Sequence, residues 1–547
     1  MTLYLGLGAN EGDRARNLER AIEHLVAAGF RLERVSPLVE SPALLPPDAD
    51  PTWCRPYLNL AVRGEADWSP QQGLAIAKQI ERELGRGADN SEHELGCAIG
   101  DDERAFGRAI GNDERALDRG VGNDEREPSR VGDDERELGR DVGNDERELD
   151  RGAGDDELGH VASADEHALD RVIADDEHAP ARIVAPKWAP RPIDIDLLWW
   201  RGERLDSAAL KLPHPDAARR DFVLTPLLHL QSDLAVGARG EHVFELTDAV
   251  RPIPLWMAII NLTPDSFSDG GEWSDSDALD AYFEKLIARN VQIIDLGAES
   301  TRPRGARDDD EPLDAEQEWA RLEPALAMLE AKLRGRRIKP WLSVDSRKPS
   351  VIERALRYGI DVINDVGGLA DPAMIALARD SGCQVVAMHS LSVPADAAVT
   401  LPRTPGAATQ VAQWARRRME MWDAAGLDFN RIILDPGIGF GKTATQSLAL
   451  LSSCRELRRA GLRLLVGHSR KSFLATAPAP ATAPAAAAIA DATADAAETA
   501  PRPAPQRDLE TLGVSLALCR QGVDILRVHS PFIHQRAALA WAHVAPE

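Results

Sequence analysis

The apolar positions in the second half of the chain gather into eight short runs separated by longer, helix-period stretches. The runs are 255–261 (LWMAIIN), 291–297 (VQIIDLG), 341–345 (WLSVD), 361–365 (DVIND), 384–389 (QVVAMH), 431–435 (RIILD), 462–467 (LRLLVG) and 523–529 (VDILRVH). Near-continuous apolar runs that alternate with amphipathic stretches predict parallel strands covered by helices on the outside. Eight such units in a block of roughly 250 residues predict a (β/α)8 (TIM) barrel. In the first half, Met1-Thr-Leu-Tyr-Leu-Gly-Leu-Gly reads as an opening strand. The apolar pattern there supports one small α+β domain built from residues 1–87 and 187–245.

Between those two pieces the pattern collapses. Units beginning GDDER at 100, GNDER at 111 and 122, GDDER at 132, GNDER at 143 and GDDEL at 154 recur mostly every eleven residues, with decayed copies at 163 and 174. Each unit sets a glycine beside acidic residues and few large apolar side chains recur, so a solvated, disordered insertion over 88–186 is expected rather than a coiled coil. A second biased stretch, rich in Ala, Pro and Thr, occupies 475–506 and reads as a loop insertion. The pattern also loosens between Leu230 and Pro254, which suggests a linker. The expected domains are therefore 1–245 and 246–547.

Charge sharpens this division. Residues 88–182 hold 30 Asp and Glu against 12 Lys and Arg, a net of −18 out of −25 for the chain. The folded parts are only mildly acidic, and no basic footprint for nucleic acid is present. No run reaches the roughly 18–20 apolar residues of a membrane span. Cys54, Cys97, Cys383, Cys454 and Cys519 are scattered and lack a CxxC pair, which fits a reducing, cytoplasmic setting.

Each barrel run ends in a polar tip. In order these are Asn261, Glu299-Ser-Thr-Arg302, Asp345-Ser-Arg347, Asn364-Asp365, Met388-His389, Asp435, Ser469-Arg-Lys471 and Arg527-Val-His529. A barrel gathers the carboxyl ends of its strands on one face, so eight tips predict one shared site. Asp345, Asn364 and Asp435 suit a flat, nitrogen-rich heterocycle. Arg302, Lys471, Arg527 and His529 suit an anion such as phosphate, and Asn261 suits a Mg²⁺ ligand. Pro436-Gly-Ile-Gly-Phe-Gly-Lys442-Thr443 nearly matches a phosphate-binding P-loop. Pro436, however, stands where that motif needs glycine, and the segment follows a barrel strand, so a flexible loop near the substrate is the expectation.

In the first half, Asp194 and Asp196 stand two apart on a β-run, which places both carboxylates on one face; alone this pattern fits the exposed face of a strand as well as a Mg²⁺ site that bridges ATP phosphates.

These motifs carry two resemblances. Asn261-Leu-Thr-Pro-Asp-Ser-Phe-Ser-Asp-Gly-Gly271, Glu299-Ser-Thr-Arg-Pro303, Ser343-Val-Asp-Ser346, Ile363-Asn-Asp365, Leu434-Asp-Pro-Gly437, Ser469-Arg-Lys-Ser472 and Arg527-Val-His529 resemble dihydropteroate synthase over the whole second block. The resemblance implies condensation of p-aminobenzoate with a dihydropterin pyrophosphate, and a target for sulfonamides. It implies that Asp345, Asn364, Asp435 and Lys471 hold the pterin. Asn261, Arg302, Arg527 and His529 would hold the pyrophosphate and its Mg²⁺. Thr301, Pro303, Phe440 and Ser472 would border the p-aminobenzoate pocket, with Asp265 and Phe267 on a mobile lid. It also implies a homodimer through the barrel.

Tyr4-Leu-Gly-Leu-Gly-Ala-Asn10, Arg55-Pro-Tyr57-Leu-Asn59, Ile80-Glu81 through Gly85-Arg86, Lys187-Trp-Ala-Pro-Arg-Pro-Ile-Asp-Ile-Asp-Leu-Leu198, Pro213-His-Pro215 and Arg220-Asp-Phe222 resemble 6-hydroxymethyl-7,8-dihydropterin pyrophosphokinase. This implies a ferredoxin-like fold that moves pyrophosphate from ATP to the pterin. Asp194 and Asp196 would be Mg²⁺ ligands. Arg86, Trp188 and Arg191 would lie over ATP, with His214 and Arg220 at its phosphates, and Tyr57, Asn59 and Phe222 at the pterin. The acidic repeat interrupts the loop between Arg86 and Trp188, and Ala9 stands where the family has Ser. A fusion with two consecutive activities is the expectation, and an active synthase with an impaired, structural kinase domain is the alternative.

Overall fold

Alternation of side chains along each strand decides what fills the barrel. The computed structural model describes residues 2–46, 48–85, 189–250, 252–262, 276–299, 312–396, 398–471, 473–474 and 507–544. The acidic repeat and the Ala/Pro stretch lie outside them.

The first domain opens with β1 (Thr2–Ala9), α1 (Arg14–Ala27), β2 (Arg31–Val35), β3 (Val39–Ser41), β4 (Tyr57–Glu65), α2 (Pro70–Glu83) and β5 (Asp194–Trp200). Its sheet runs β2-β4-β1-β5, with β3 also on β4 and every pair antiparallel. This is the order of a split βαβ, ferredoxin-like domain. Leu3, Leu5, Leu7, Ile195 and Leu197 point to one face and bury against Leu18, Ile22 and Leu25 of α1 and Ala77 and Ile80 of α2. Both helices start on side-chain caps, Asp13 for α1 and a Ser69/Gln72 capping box for α2. The opposite face carries Tyr4, Ala61 and Leu198 beneath α3 (Asp221–Leu230) and α4 (Val243–Val250). A small ribbon, β6 (Leu205–Asp206) with β7 (Lys211–Leu212), lies between β5 and α3.

The second domain is a closed, all-parallel barrel of β8 (Leu255–Asn261), β9 (Ile293–Gly297), β10 (Trp341–Asp345), β11 (Val362–Asp365), β12 (Gln384–Met388), β13 (Ile432–Asp435), β14 (Arg463–Val466) and β15 (Ile525–Val528). All eight expected runs are strands, with ends that shift by at most two residues. Leu255, Met257, Ile293, Trp341, Val362, Val386, Ile433, Leu465 and Ile525 form an apolar floor inside the barrel. One step of two residues further on come Asp295, Ser343, Asn364, Asp435 and Arg527. The same alternation thus turns an apolar floor into a polar mouth at the carboxyl ends.

The segment Leu230–Pro254 is not the loose linker its pattern suggested. It folds through an Ala235–His242 bridge into α4. Arg458 of the barrel, fully buried, holds Asp524 at 3.0 Å, Thr247 Oγ1 at 2.6 Å and Asp248, with its guanidinium 4.3 Å from the centre of the Phe244 ring. The helix is short and its anchor is remote in sequence, so periodicity alone could not mark it.

The first domain also closes the barrel floor. Val39 of β3 belongs to the floor cluster, and the Arg34 guanidinium sits 5.7 Å from the centre of the Trp341 ring. Buried Arg463 reaches His229 Nδ1 at 3.2 Å and the Asn430 carbonyl at 2.7 Å.

Candidate functional site

At the barrel mouth a single carboxylate organises four strands. Asp295 of β9 is fully buried and accepts hydrogen bonds from Ser343 Oγ at 2.5 Å, Asn364 Nδ2 at 3.2 Å and Arg527 Nε at 2.7 Å. Arg527 also reaches Asp345 at 2.9 Å, so one guanidinium joins two acids. Burial opposes its charge, yet Asp295 and Asp345 together hold its pKa above the ordinary arginine value. Sequence reasoning did not single out Asp295. The available signal was an acid in the middle of a run otherwise fit for burial.

Burial raises Asp345 to about 7, against the pull of Arg527 and with a further push from Asp295. Burial also raises Asp435, opposed by the Gly437 N–H it accepts at 2.7 Å and by Arg527, Lys442 and Lys471. Lys471 Nζ stands 4.8 Å from the centre of the Phe440 ring. Its neighbour Arg470, at a φ of 56°, turns aside to Asp508 at 2.7 Å. His529 Nδ1 lies 2.9 Å from Ser469 Oγ, and Asn261 ends β8 opposite Gly297 of β9. The structure therefore brings Asn261, Asp345, Asn364, Asp435, Phe440, Lys471, Arg527 and His529 to one rim. Asp265, Phe267, Thr301, Arg302, Pro303 and Ser472 lie outside the described residues. Also unforeseen is Lys348, which binds Glu299 at 2.6 Å and buried Glu318 at 2.5 Å and so fixes the chain where it leaves β9.

The first domain offers a second site on the sheet face that α3 leaves open. Across adjacent strands Asp194 pairs with Gly8, Gly8 with Asn59 and Asn59 with Val39, so Asp194 and Asn59 flank a glycine on one face. A Cβ at Gly8 would stand 3.1 Å from Asn59 Oδ1, so glycine keeps this floor clear. Asn59 Nδ2 donates to Ser41 Oγ at 3.0 Å and to the Val39 carbonyl at 3.3 Å. Asp194 and Asp196 are 30% and 36% exposed, with Arg191 3.1 Å from the first and His214 Nε2 4.0 Å from the second.

Arg191 is itself held by Asn10, whose Oδ1 accepts its N–H at 2.7 Å. Glu81, from the Ile80-Glu81 motif, accepts the Ile195 N–H at 2.8 Å and so steadies the strand between the two acids. Arg220 pairs with Asp216 at 2.7 Å and lies 5.8 Å from the centre of the Phe222 ring, at the start of α3. Tyr57 opens β4 opposite Ser41. Arg86 and Trp188 lie outside the described residues. Among those residues no group of three or more His, Cys, Asp or Glu is placed to hold a metal ion, and no helix is long and apolar enough to cross a membrane.

Comparison with known proteins follows the same division. Residues 257–529 match the family described as Pterin binding enzyme, and residues 4–118 with 158–232 match the family described as 7,8-dihydro-6-hydroxymethylpterin-pyrophosphokinase. The chain is 29% identical to the Folate synthesis bifunctional protein of Chlamydia caviae, covering 99% of this chain and 98% of that one. It is 38% identical to the Dihydropteroate synthase of Neisseria meningitidis serogroup C, covering 40% of this chain and 75% of that protein. Among solved structures, dihydropteroate synthase from Anaplasma phagocytophilum with bound 6-hydroxymethylpterin-monophosphate aligns at 28% identity and a TM-score of 0.43, over 53% of this chain and 98% of that one.

Proposed function

Because the chain belongs to the dihydropteroate synthase family and carries a pterin pyrophosphokinase domain ahead of that barrel, we propose a division of labour between its two sites, residue by residue. The chain is a bifunctional enzyme of folate synthesis. It transfers pyrophosphate from ATP to 6-hydroxymethyl-7,8-dihydropterin and then condenses the product with p-aminobenzoate to give 7,8-dihydropteroate.

In the first step the pterin hydroxyl oxygen attacks the β-phosphorus of ATP, the bond to the α-phosphate oxygen breaks to leave AMP, and the hydroxyl proton is lost. Asp194 and Asp196 are the proposed Mg²⁺ ligands. Two carboxylates on one open face fit a cation that binds through few protein oxygens plus phosphate, and bound Mg²⁺ would neutralise charge on the transferring group. Arg191 and His214 stand beside these acids and serve the ATP phosphates, together with Arg220, Arg86 and Trp188. Tyr57, Asn59 and Phe222 serve the pterin.

In the second step the p-aminobenzoate nitrogen attacks the pterin methylene carbon, the C–O bond to pyrophosphate breaks and the amine loses a proton. Asp345, Asn364, Asp435 and Lys471 hold the pterin. Asn261, Arg302, Arg527 and His529 receive the pyrophosphate with its Mg²⁺, and Thr301, Phe440 and Ser472 border the p-aminobenzoate. Fixed cations at the leaving group and carboxylates at the developing pterin cation stabilise the transition state without a covalent intermediate. Small-molecule substrates, a homodimer through the barrel, a cytoplasmic setting and domains of 1–245 and 246–547 complete the proposal.

The observation that supports it best is the joining of Asn364 and Arg527 through Asp295, and of Asp345 through Arg527, at one rim of the barrel. Asp345→Ala and Lys471→Ala should each lower dihydropteroate formation by about 10²-fold or more while sparing AMP release, and Asp194→Ala should do the reverse. Equal loss of both activities in folded single variants would contradict two independent sites.

A further inference from the structure

The segment that imitates a P-loop has a different structural purpose. Its glycines 437, 439 and 441 take φ values of 66°, 83° and 65°. They also allow close packing: a Cβ at Gly437 would fall on the His389 carbonyl, and one at Gly441 would stand 2.7 Å from Leu391. The turn is pressed onto the loop that follows β12, and Lys442 pins it there. Lys442 is 8% exposed, and its Nζ lies 2.8 Å from each of three acceptors, the Phe440 carbonyl, the His389 carbonyl and His389 Nδ1. The three N–H groups of an ammonium match that set. Burial and the nearby Lys442 charge push His389 down to about 3, so its ring is neutral and free to accept. Burial draws Lys442 down to about 7, opposed by Asp435. The ring of Phe440, in turn, packs with Val366, Met388 and Ala395 and faces Lys471 at 4.8 Å.

We propose that Lys442 is a positioning residue of the synthase: an internal strut that ties the Pro436–Gly441 turn to His389 and so fixes Phe440 beside the p-aminobenzoate. The inference rests on the reading of Phe440 given above. Lys442 touches no substrate in this account. It acts by setting where the Phe440 ring stands, and a small displacement of a substrate-positioning group is enough to lower the rate severely.

The test uses the full chain supplied with dihydropterin pyrophosphate and p-aminobenzoate. Lys442→Met keeps the side chain's length and removes its donors. It should lower kcat/KM for p-aminobenzoate at least about tenfold, while KM for the pterin pyrophosphate stays within about threefold. Lys442→Arg should recover part of the loss, because a guanidinium still donates to both carbonyls. Should Lys442→Met fail to fold, His389→Phe removes one acceptor and keeps a ring against Trp414, which lies 5.1 Å away centre to centre. It should show the same selective defect. Unchanged p-aminobenzoate kinetics in Lys442→Met or His389→Phe, an equal rise in KM for both substrates, or no recovery with Lys442→Arg would overturn the proposal. If the wild-type chain makes no dihydropteroate from these substrates, the functional reading fails instead.

Discussion

Asp345 shows how a buried acid at the barrel rim works against stability. Its carboxyl rises from 3.8 to about 7 because burial disfavours the charge more than Arg527 restores it. Between those values the folded chain holds a proton that the unfolded chain has released. Stability from this group is therefore greatest below about pH 4, falls as pH rises towards 7 and is level beyond. Asp345→Asn removes that fall, and Arg527 keeps Asp295 as a partner at 2.6 Å. The variant should lose synthase activity yet be more stable than wild type at pH 8, by on the order of 1 kcal/mol, with little difference at pH 4. Urea midpoints at the two pH values decide this, and a less stable variant at pH 8 would contradict it. At this scale the sequence was partly legible. Asp345, Asn364, Asp435 and Arg527 could be named because each follows an apolar run. Asp295 and Lys348 could not, because their partners come from distant strands and loops, and Lys442 stood out only as part of a false P-loop, since its His389 partner is remote in sequence.

Elements were the most legible level. Eight strands of four to seven residues emerged from eight apolar runs, because a barrel strand is covered on both faces and leaves a continuous signal. The misread segment, Leu230–Pro254, failed for a physical reason. Its helix α4 is only eight residues long and owes its place to Arg458 rather than to its own periodicity. Arg458→Ala would leave fully buried Asp524 without its cation. That should cost about 3–5 kcal/mol of stability and release α4, read as a lower urea midpoint and faster amide exchange over Val243–Val250. A midpoint within about 0.5 kcal/mol of wild type would show that the clamp carries no weight.

For the whole molecule, the kinase domain seals the floor of the barrel with Val39, Arg34 and His229, whereas the synthase residues stand at the opposite, carboxyl end of the strands. No sequence pattern announced this seal, since its floor residues read as ordinary strand core. The barrel interior between them is packed with side chains, so no passage runs through the barrel itself, and exchange of the pterin pyrophosphate with solvent is the expectation to test. Unlabelled dihydropterin pyrophosphate added to a reaction on labelled hydroxymethyldihydropterin should dilute the label in dihydropteroate in proportion to the pool. Undiluted product would mean a protected path.

The central claim is that one chain carries two working sites, and the measurement that tests it most directly is the yield of both products from one incubation. Purified full-length protein with ATP, Mg²⁺, hydroxymethyldihydropterin and p-aminobenzoate should release AMP and form dihydropteroate, with AMP appearing first and the two converging to one-to-one. No AMP in that mixture, alongside dihydropteroate from supplied pterin pyrophosphate, would contradict the claim and leave the first domain as a structural cap on the barrel.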